Sequence, residues 1–154
     1  MNYIRDLLDA LRIGLEAALP PPGLRPKLRR DQLRDLALCH LEALDSIARG
    51  DAMSATLWQV AEATLAWSRV AELMRIGEAE MTAQLELALS LIERYQRTGR
   101  VAFSGPEYQA AKAGVAVMDE LAERTDRATA LAACEWADRR VVAMMAASRA
   151  RAAA

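Results

Sequence analysis

The sequence predicts an all-α fold, and three observations carry this prediction. Of 154 residues, 33 are Ala and 21 are Leu, which are strong helix formers. Gly numbers 7, and aromatic residues, which favour strands, make up only 5%. No proline interrupts the chain between Lys27 and Gly105. Because this length suits one domain, we expect a single antiparallel bundle of five to six helices over residues 27–150.

Residues 1–19 are predicted to form an amphipathic helix ahead of this bundle. Charged side chains lie on one side of it, and an apolar stripe on the other includes Ile4, Leu7, Leu8, Leu11 and Leu15. Four prolines then end the helix and make residues 20–26 a stiff, Pro-rich spacer. The stripe must be buried against something, so we expect a homodimer in which this helix takes part. Packing on its own bundle and docking to a foreign partner are the alternatives.

Glycines and capping residues divide the remaining chain. A second helix is expected to end at Gly50, and Asp51 or Ser54 is expected to cap the third. The third helix has few charged positions, which predicts a central place for it in the bundle. Gly77 is expected to break or kink the chain before the fourth helix.

The stretch 98–107 has the strongest boundary signals. Gly99 is predicted to end the fourth helix, and Ser104 with Glu107 has the spacing of a capping box at the start of the fifth. Thr125 or Asp126 is expected to cap the last helix.

Charge and hydropathy exclude several classes of function. The net charge of -1 gives no long-range attraction to nucleic acid or to an anionic membrane. No apolar run is long enough to span a bilayer. The two cysteines, Cys39 and Cys134, are far apart in a chain without a recognisable leader, so we expect reduced, buried thiols in the cytoplasm.

A single histidine limits the chemistry that the chain can perform. His40 has no second histidine beside it for a metal site, and Cys39 diverges from it on a helix. We interpret His40 as a structural residue and expect no metal, no cofactor and no catalytic residues. A small α-helical enzyme using paired carboxylates is the weakest of the alternatives.

A basic cluster precedes and enters the second helix. It carries a local charge of +4 where the helix dipole favours acidic groups, and it consists of Arg25, Lys27, Arg29, Arg30 and Arg34 against Asp31. A cluster that breaks this rule predicts a partner-binding surface, although a solvated flank of the spacer explains it as well. A regulator that contacts nucleic acid through the cluster is the alternative function.

A resemblance rests on His40-Leu41, Trp58, Ile76-Gly77-Glu78, Tyr95 and above all Arg97-Thr98-Gly99-Arg100 followed by Gly105 and Glu107. The pattern resembles that of short, uncharacterised all-helical proteins of proteobacterial phages, plasmids and integrated elements, and it covers roughly residues 40–131. The chain has Val101 where that group often has Trp. The resemblance implies a non-enzymatic accessory protein that binds host or element machinery, for example an anti-defence inhibitor such as an anti-CRISPR protein.

Overall fold

The computed structural model of the chain describes residues 25–152. Within that range it consists of five helices and no sheet: α1 (Arg30–Arg49), α2 (Ser54–Met74), α3 (Glu78–Thr98), α4 (Gly105–Arg124) and α5 (Arg127–Ala152). The all-α prediction is confirmed. The helix expected at residues 1–19 and most of the 20–26 spacer lie outside the described residues, so they and the antiparallel order of the helices stay predictions.

Helix α2 lies at the centre of the described bundle, as its sequence predicts. It packs against α3 on one side and α5 on another, and every residue from 61 to 67 is buried. Small side chains let its neighbours approach closely, namely those of Ala61, Ala63, Ala66 and Ala71. Thr64 is fully buried, and its hydroxyl donates to the Val60 carbonyl at 2.8 Å, which satisfies it within the helix.

Helix α1 lies at the edge of the bundle and packs chiefly against α4. Its buried stripe places Leu36, Leu44 and Ile47 in the core. Contacts between α1 and α2 are few, although a turn of only four residues joins them. The side of α1 that faces α2 is therefore incompletely packed.

Two of the predicted glycine breaks are confirmed by left-handed backbone angles. Gly50 follows α1 with φ +75°, and Gly77 precedes α3 with φ +67°. The expected cap of α2 is wrong: Met53 occupies the N-cap position and makes no side-chain bond there. Asp51 is instead engaged with α1, because it accepts from the Ser46 hydroxyl at 2.7 Å and from Arg49 Nε at 2.9 Å.

The junction between α3 and α4 is held by a paired polar network. Gly99 ends α3 with φ +70°, and the predicted capping box between Ser104 and Glu107 is present. Arg94 of α3 donates to the Ala102 carbonyl at 3.0 Å and to the Glu107 carboxylate. Hydrogen bonds from Arg94 and from the Ser104 backbone lower the pKa of Glu107 to about 2.

The start of the described chain is tied to the turn between α4 and α5. The Arg127 backbone N–H donates to the Pro26 carbonyl at 2.9 Å, and Lys27 forms an isolated bridge with Asp126. Asp126 caps α5, as one of the two predicted residues, by accepting from the Thr129 backbone at 2.9 Å.

Replacing Glu107 by Gln should reduce the pH dependence of the free energy of unfolding in the acid range. Because its pKa is lowered, the ionised Glu107 carboxylate stabilises the fold at pH values above about 4.5, the ordinary pKa of this side chain. This contribution is then lost as the pH falls toward 2. We expect E107Q to lower the free energy of unfolding by about 1 kcal/mol at pH 7, the size typical of a cap or a surface ion pair.

Urea titrations of both proteins between pH 7 and pH 2 measure this difference. The two curves should converge at the acid end, because the carboxyl is then protonated in both states. A difference that stays constant over this pH range would contradict the role given to the ionised carboxylate.

Candidate binding cleft

A cleft of about 470 Å³ opens between α1 and α2. It runs along α1 from Gln32 to Ser46, which corresponds to about 21 Å at the usual rise of a helix. Residues of α3 and α4 form its floor, because they lie beneath the gap that α1 and α2 leave between them. Its volume falls within the range of ligand sites in proteins, roughly 300–1,000 Å³.

Most of the cleft surface is apolar. The apolar part includes Leu36, Leu44, Val60, Val115 and Met118. Glutamines Gln32, Gln59 and Gln84 and the imidazole of His40 interrupt this surface. An apolar surface with a few polar groups is typical of sites that bind a specific ligand.

Gln84 is the most unusual residue of the cleft. It is 4% exposed, and its Oε1 has no hydrogen-bond partner among residues 25–152. It occupies an apolar stripe of α3 that includes Met81, Ala88 and Leu91. A buried amide oxygen without a partner costs about 1–3 kcal/mol.

Gly114 of α4 makes room for this amide. A Cβ at position 114 would lie 2.4 Å from Gln84 Oε1 and 2.6 Å from its Cδ. Glycine inside a helix costs about 1 kcal/mol relative to alanine. Two features that lower stability, a buried amide oxygen without a partner and a glycine within a helix, therefore meet where Gln84 packs against Gly114.

Gln32 contributes a second unsatisfied amide at one end of the cleft. Its Oε1 accepts from the Arg29 backbone at 3.0 Å, which helps to begin α1. Its Nε2 is shielded from solvent and has no partner in the described part of the chain. The residue as a whole is 8% exposed, so this N–H donor is buried without an acceptor.

His40 lies in the cleft and is 6% exposed. Its Nδ1 is 3.6 Å from Asp119 Oδ1 on α4, within ion-pair range but longer than a hydrogen bond. The side chain of Asp119 is 44% exposed. The sequence predicts a structural, partly buried His40; the structure buries the residue and adds that it lines a cavity.

The two cysteines have different surroundings. Cys134 is buried between α2 and α5, where burial and the charges of Glu62 and Glu135 raise the pKa of its thiol to about 12. Cys39 is half-buried and lines the cleft beside His40. The sequence-based expectation of two buried thiols therefore holds for Cys134, whereas Cys39 borders the open space.

Acidic side chains stand at the rim of the cleft. Asp35 and Glu42 of α1 are exposed and line it, and no lysine or arginine among the described residues does so. Arg34 approaches Asp35 at 3.4 Å but is itself exposed. The electrostatics of the rim thus favour neutral or cationic groups over anions.

The predicted basic cluster lies outside the cleft. Three carboxylates stand beside its five cations: Arg29 bonds Asp31 at 2.9 Å, Arg34 approaches Asp35, and Arg25 acts on Asp126. Although burial favours the neutral form of Asp126, bonds from Thr129 and the charge of Arg25 lower its pKa. Lys27 and Arg30 are exposed. The structure therefore surrounds the cluster with more negative charge than its immediate sequence contains.

Sequence reasoning missed Gln32 and Gln84, although a signal for both was present. Each is a polar residue in phase with a buried apolar stripe, Gln32 in α1 and Gln84 in α3. His40 follows the same pattern in α1. Polar residues in such positions mark a cavity or a network, because an apolar side chain would otherwise fill the space.

Two further features concern the described residues, 25–152. Within this range no group of three His, Cys, Asp or Glu side chains is placed to hold a metal ion. None of the helices described has the length and apolar character needed to cross a membrane.

Comparison of the chain with protein-family models, with curated proteins and with solved structures found no match.

Replacing Gln84 by Leu should stabilise the protein. The change removes a buried oxygen without a partner and keeps a side chain of similar size. We expect the free energy of unfolding to rise by about 1 kcal/mol. Chemical denaturation of the full chain measures it, with Q109L as the matched control.

Gln109 is exposed on α4, so the same substitution there should change stability by less than about 0.5 kcal/mol. A loss of stability in Q84L alone would show that the amide is satisfied in the free protein.

Proposed function

We propose that this chain is a non-enzymatic protein-binding module that accepts an amphipathic helix of a partner protein in the cleft between α1 and α2. The observation that carries the proposal is the shape of the cleft. It is open, mostly apolar and about four helical turns long along α1. Recognition of a helix in a groove needs an apolar trough of this kind.

The apolar lining supplies the binding energy in this proposal. Leu36 and Met118 are already buried, so the apolar surface that a partner can still cover comes chiefly from the half-buried Val60, Ala43 and Cys39. Side chains at successive turns of a docked helix would cover them, and burial of apolar surface stabilises such complexes by about 25 cal/mol per Å² before the losses of association are subtracted.

The charge of the rim defines the chemistry of the partner. Asp35 and Glu42 favour a helix whose flanks are neutral or basic. Residues 1–19 of the chain itself contain three acidic and two basic side chains. The rim therefore favours a foreign helix over this segment as the occupant.

The biological setting follows from the resemblance to proteins of mobile elements. Under the proposal, the partner belongs to host or element machinery, and occupation of its helix would interfere with its normal contacts. Inhibition of a defence system is one form of this activity. The proposal requires no cofactor and no reaction at the cleft.

Selection of peptides against the immobilised full chain tests the proposal. The probe is a displayed library of 18-residue amphipathic helices with varied flanking charge. We expect selected helices to have neutral or basic flanks and to bind A43R at least about tenfold more weakly, since Ala43 is half-buried and lines the cleft. The bulky side chain would occupy the space of the peptide.

A48R is the matched control, because Ala48 is exposed on the same helix and does not line the cleft. It should bind like the wild type. Selected helices that bind A43R undiminished would overturn the proposal, as would a library that yields no helical binder. Protection of Cys39 from iodoacetamide by the bound peptide provides a second reading of the same contact.

We also propose that the full chain is a homodimer through the apolar stripe of residues 1–19. Its large apolar side chains would forfeit about 1.5–3 kcal/mol each if they were left in water, so the stripe requires a cover. We expect sedimentation to give a dimer that Leu8→Gln with Leu11→Gln converts to a monomer.

Its control replaces Asp9 and Glu16 by Gln on the charged side of the same predicted helix and should leave the dimer intact. A wild-type chain that sediments as a monomer over the whole concentration range excludes this assembly.

A further inference from the structure

Helix α1 has apolar side chains on a third face, apart from those that form the core and the cleft. Leu38 and Leu41 lie on adjacent turns and are 51% and 55% exposed. Leu33 and Ala37, which lie beside them on the same side of the helix, are half-buried. None of these four residues, the outer stripe of α1, lines the cleft. Among residues 25–152 no other two exposed large apolar side chains lie on adjacent turns of one helix, which marks the outer stripe as a contact surface.

We propose that the outer stripe binds the helix predicted for residues 1–19 of a second copy of the chain, in antiparallel direction. This inference rests on the homodimer proposed above and names the surface on which each segment docks. Two chains that exchange these segments would bury both apolar stripes in one symmetric dimer. The cleft stays open in this arrangement, because the outer stripe does not line it.

The anchored start of the described chain keeps the segment near the outer stripe. The Pro26 carbonyl accepts from the Arg127 backbone, and Leu28 is buried in the core, so the chain is fixed just before α1 begins. Residues 20–25 span at most about 19 Å at 3.1 Å per residue. The predicted helix therefore ends close to the start of α1, and its 19 residues match the 20 residues of α1 in length.

The spacer favours exchange between copies over packing within one chain. Pro20, Pro21 and Pro22 favour an extended backbone. Antiparallel packing on the same α1 would require the chain to reverse its direction within this short, stiff segment. A connection that opposes such a reversal favours the same contacts between two chains.

The apolar stripes of the two helices can be aligned in one register. Antiparallel docking that places Leu8 opposite Leu41 also places Leu11 opposite Leu38, because both pairs are three residues apart. The same register brings position 5 of the segment opposite position 45 of α1, one turn further along.

Charge supports this direction. Position 5 is Arg and position 45 is Asp, and the Asp45 side chain is 63% exposed. Asp45 pairs with Arg49 of its own helix, which leaves part of the carboxylate open to a second cation. Parallel docking would instead bring Arg5 toward Arg34, since Asp35 lies on the side of the cleft. Ion pairs beside an apolar seam determine the orientation of paired helices.

Substitutions in the outer stripe test the surface by sedimentation of the full chain. L38Q with L41Q should raise the dissociation constant of the dimer at least about a hundredfold, since a symmetric dimer contains this contact twice. The fold should persist, because both side chains are more than half exposed. M53Q with L73Q is the matched control, because these apolar side chains at α2 are 66% and 56% exposed. It should dimerise like the wild type.

A mixture of two variants shows which copy supplies the helix. The chain with L38Q and L41Q keeps its first 19 residues intact, and the chain with L8Q and L11Q keeps its outer stripe intact. Together they can form one complete contact, so the heterodimer should be about tenfold tighter than the homodimer of either variant. A mixture that shows no such gain would overturn the exchange between copies.

Reversal of the charges tests the register. D45R should weaken the dimer about tenfold, because each dimer contains the pair with Arg5 twice, and R5D in the same chain should restore it. D138R changes an exposed acid on α5 and should have no effect. D45R that R5D does not rescue would overturn the antiparallel register.

Two outcomes separate this inference from the homodimer on which it rests. A dimer that L8Q with L11Q dissociates but L38Q with L41Q leaves intact would overturn the inference and leave the homodimer standing. A wild-type chain that sediments as a monomer would refute the homodimer and, with it, the second copy as occupant. Faster amide exchange of residues 4–15 in L38Q with L41Q would then assign the outer stripe to the segment of the same chain.

Discussion

The need to cover the middle of α2, residues 61–67, determines where its neighbours lie. Seven consecutive residues of this helix, 61 to 67, are buried, which requires contacts around its whole circumference. Its alanines allow α3 and α5 to pack closely. Helix α1 is held chiefly by α4 instead. The cleft arises because the turn after Gly50 brings α1 beside α2 without the side chains needed to close the gap.

Much of this fold could be predicted because its boundary signals are local. Gly50, Gly77 and Gly99 take left-handed angles where the sequence predicts helix ends, and the capping box at Ser104 depends on residues three positions apart. The cap of α2 was predicted wrongly because Asp51 bonds Ser46 and Arg49 at the end of the preceding helix instead of the first turn of α2. The spatial order of the helices likewise depends on contacts between distant segments.

The cleft was less predictable than the fold. The stripes of α1 and α3 contain polar residues in buried positions, which signals a cavity. The sequence spacing of Gln32 and Gln84, however, does not show that both line one cavity. They lie on α1 and α3, and the whole of α2 separates these helices in sequence. The basic cluster is the opposite case: its residues are evident in the sequence, but the carboxylate of Asp126 approaches it from the turn between α4 and α5, which is distant in sequence.

A comparison within the molecule explains why the unsatisfied amides bear on function. At the junction of α3 and α4, Arg94 and the Ser104 backbone donate hydrogen bonds to the Glu107 carboxylate. These bonds lower the pKa of Glu107 to about 2. The same helices, α3 and α4, place the Gln84 amide against Gly114 with its oxygen unpaired. The polar groups of the junction are thus hydrogen-bonded within the chain, whereas the Gln84 oxygen at the cleft is not. Leaving polar atoms unpaired lowers stability, and sites that bind ligands are where proteins characteristically accept that loss. The Gln84 oxygen is therefore the polar group of the cleft that the folded chain does not use, whereas the Gln32 oxygen helps to begin α1.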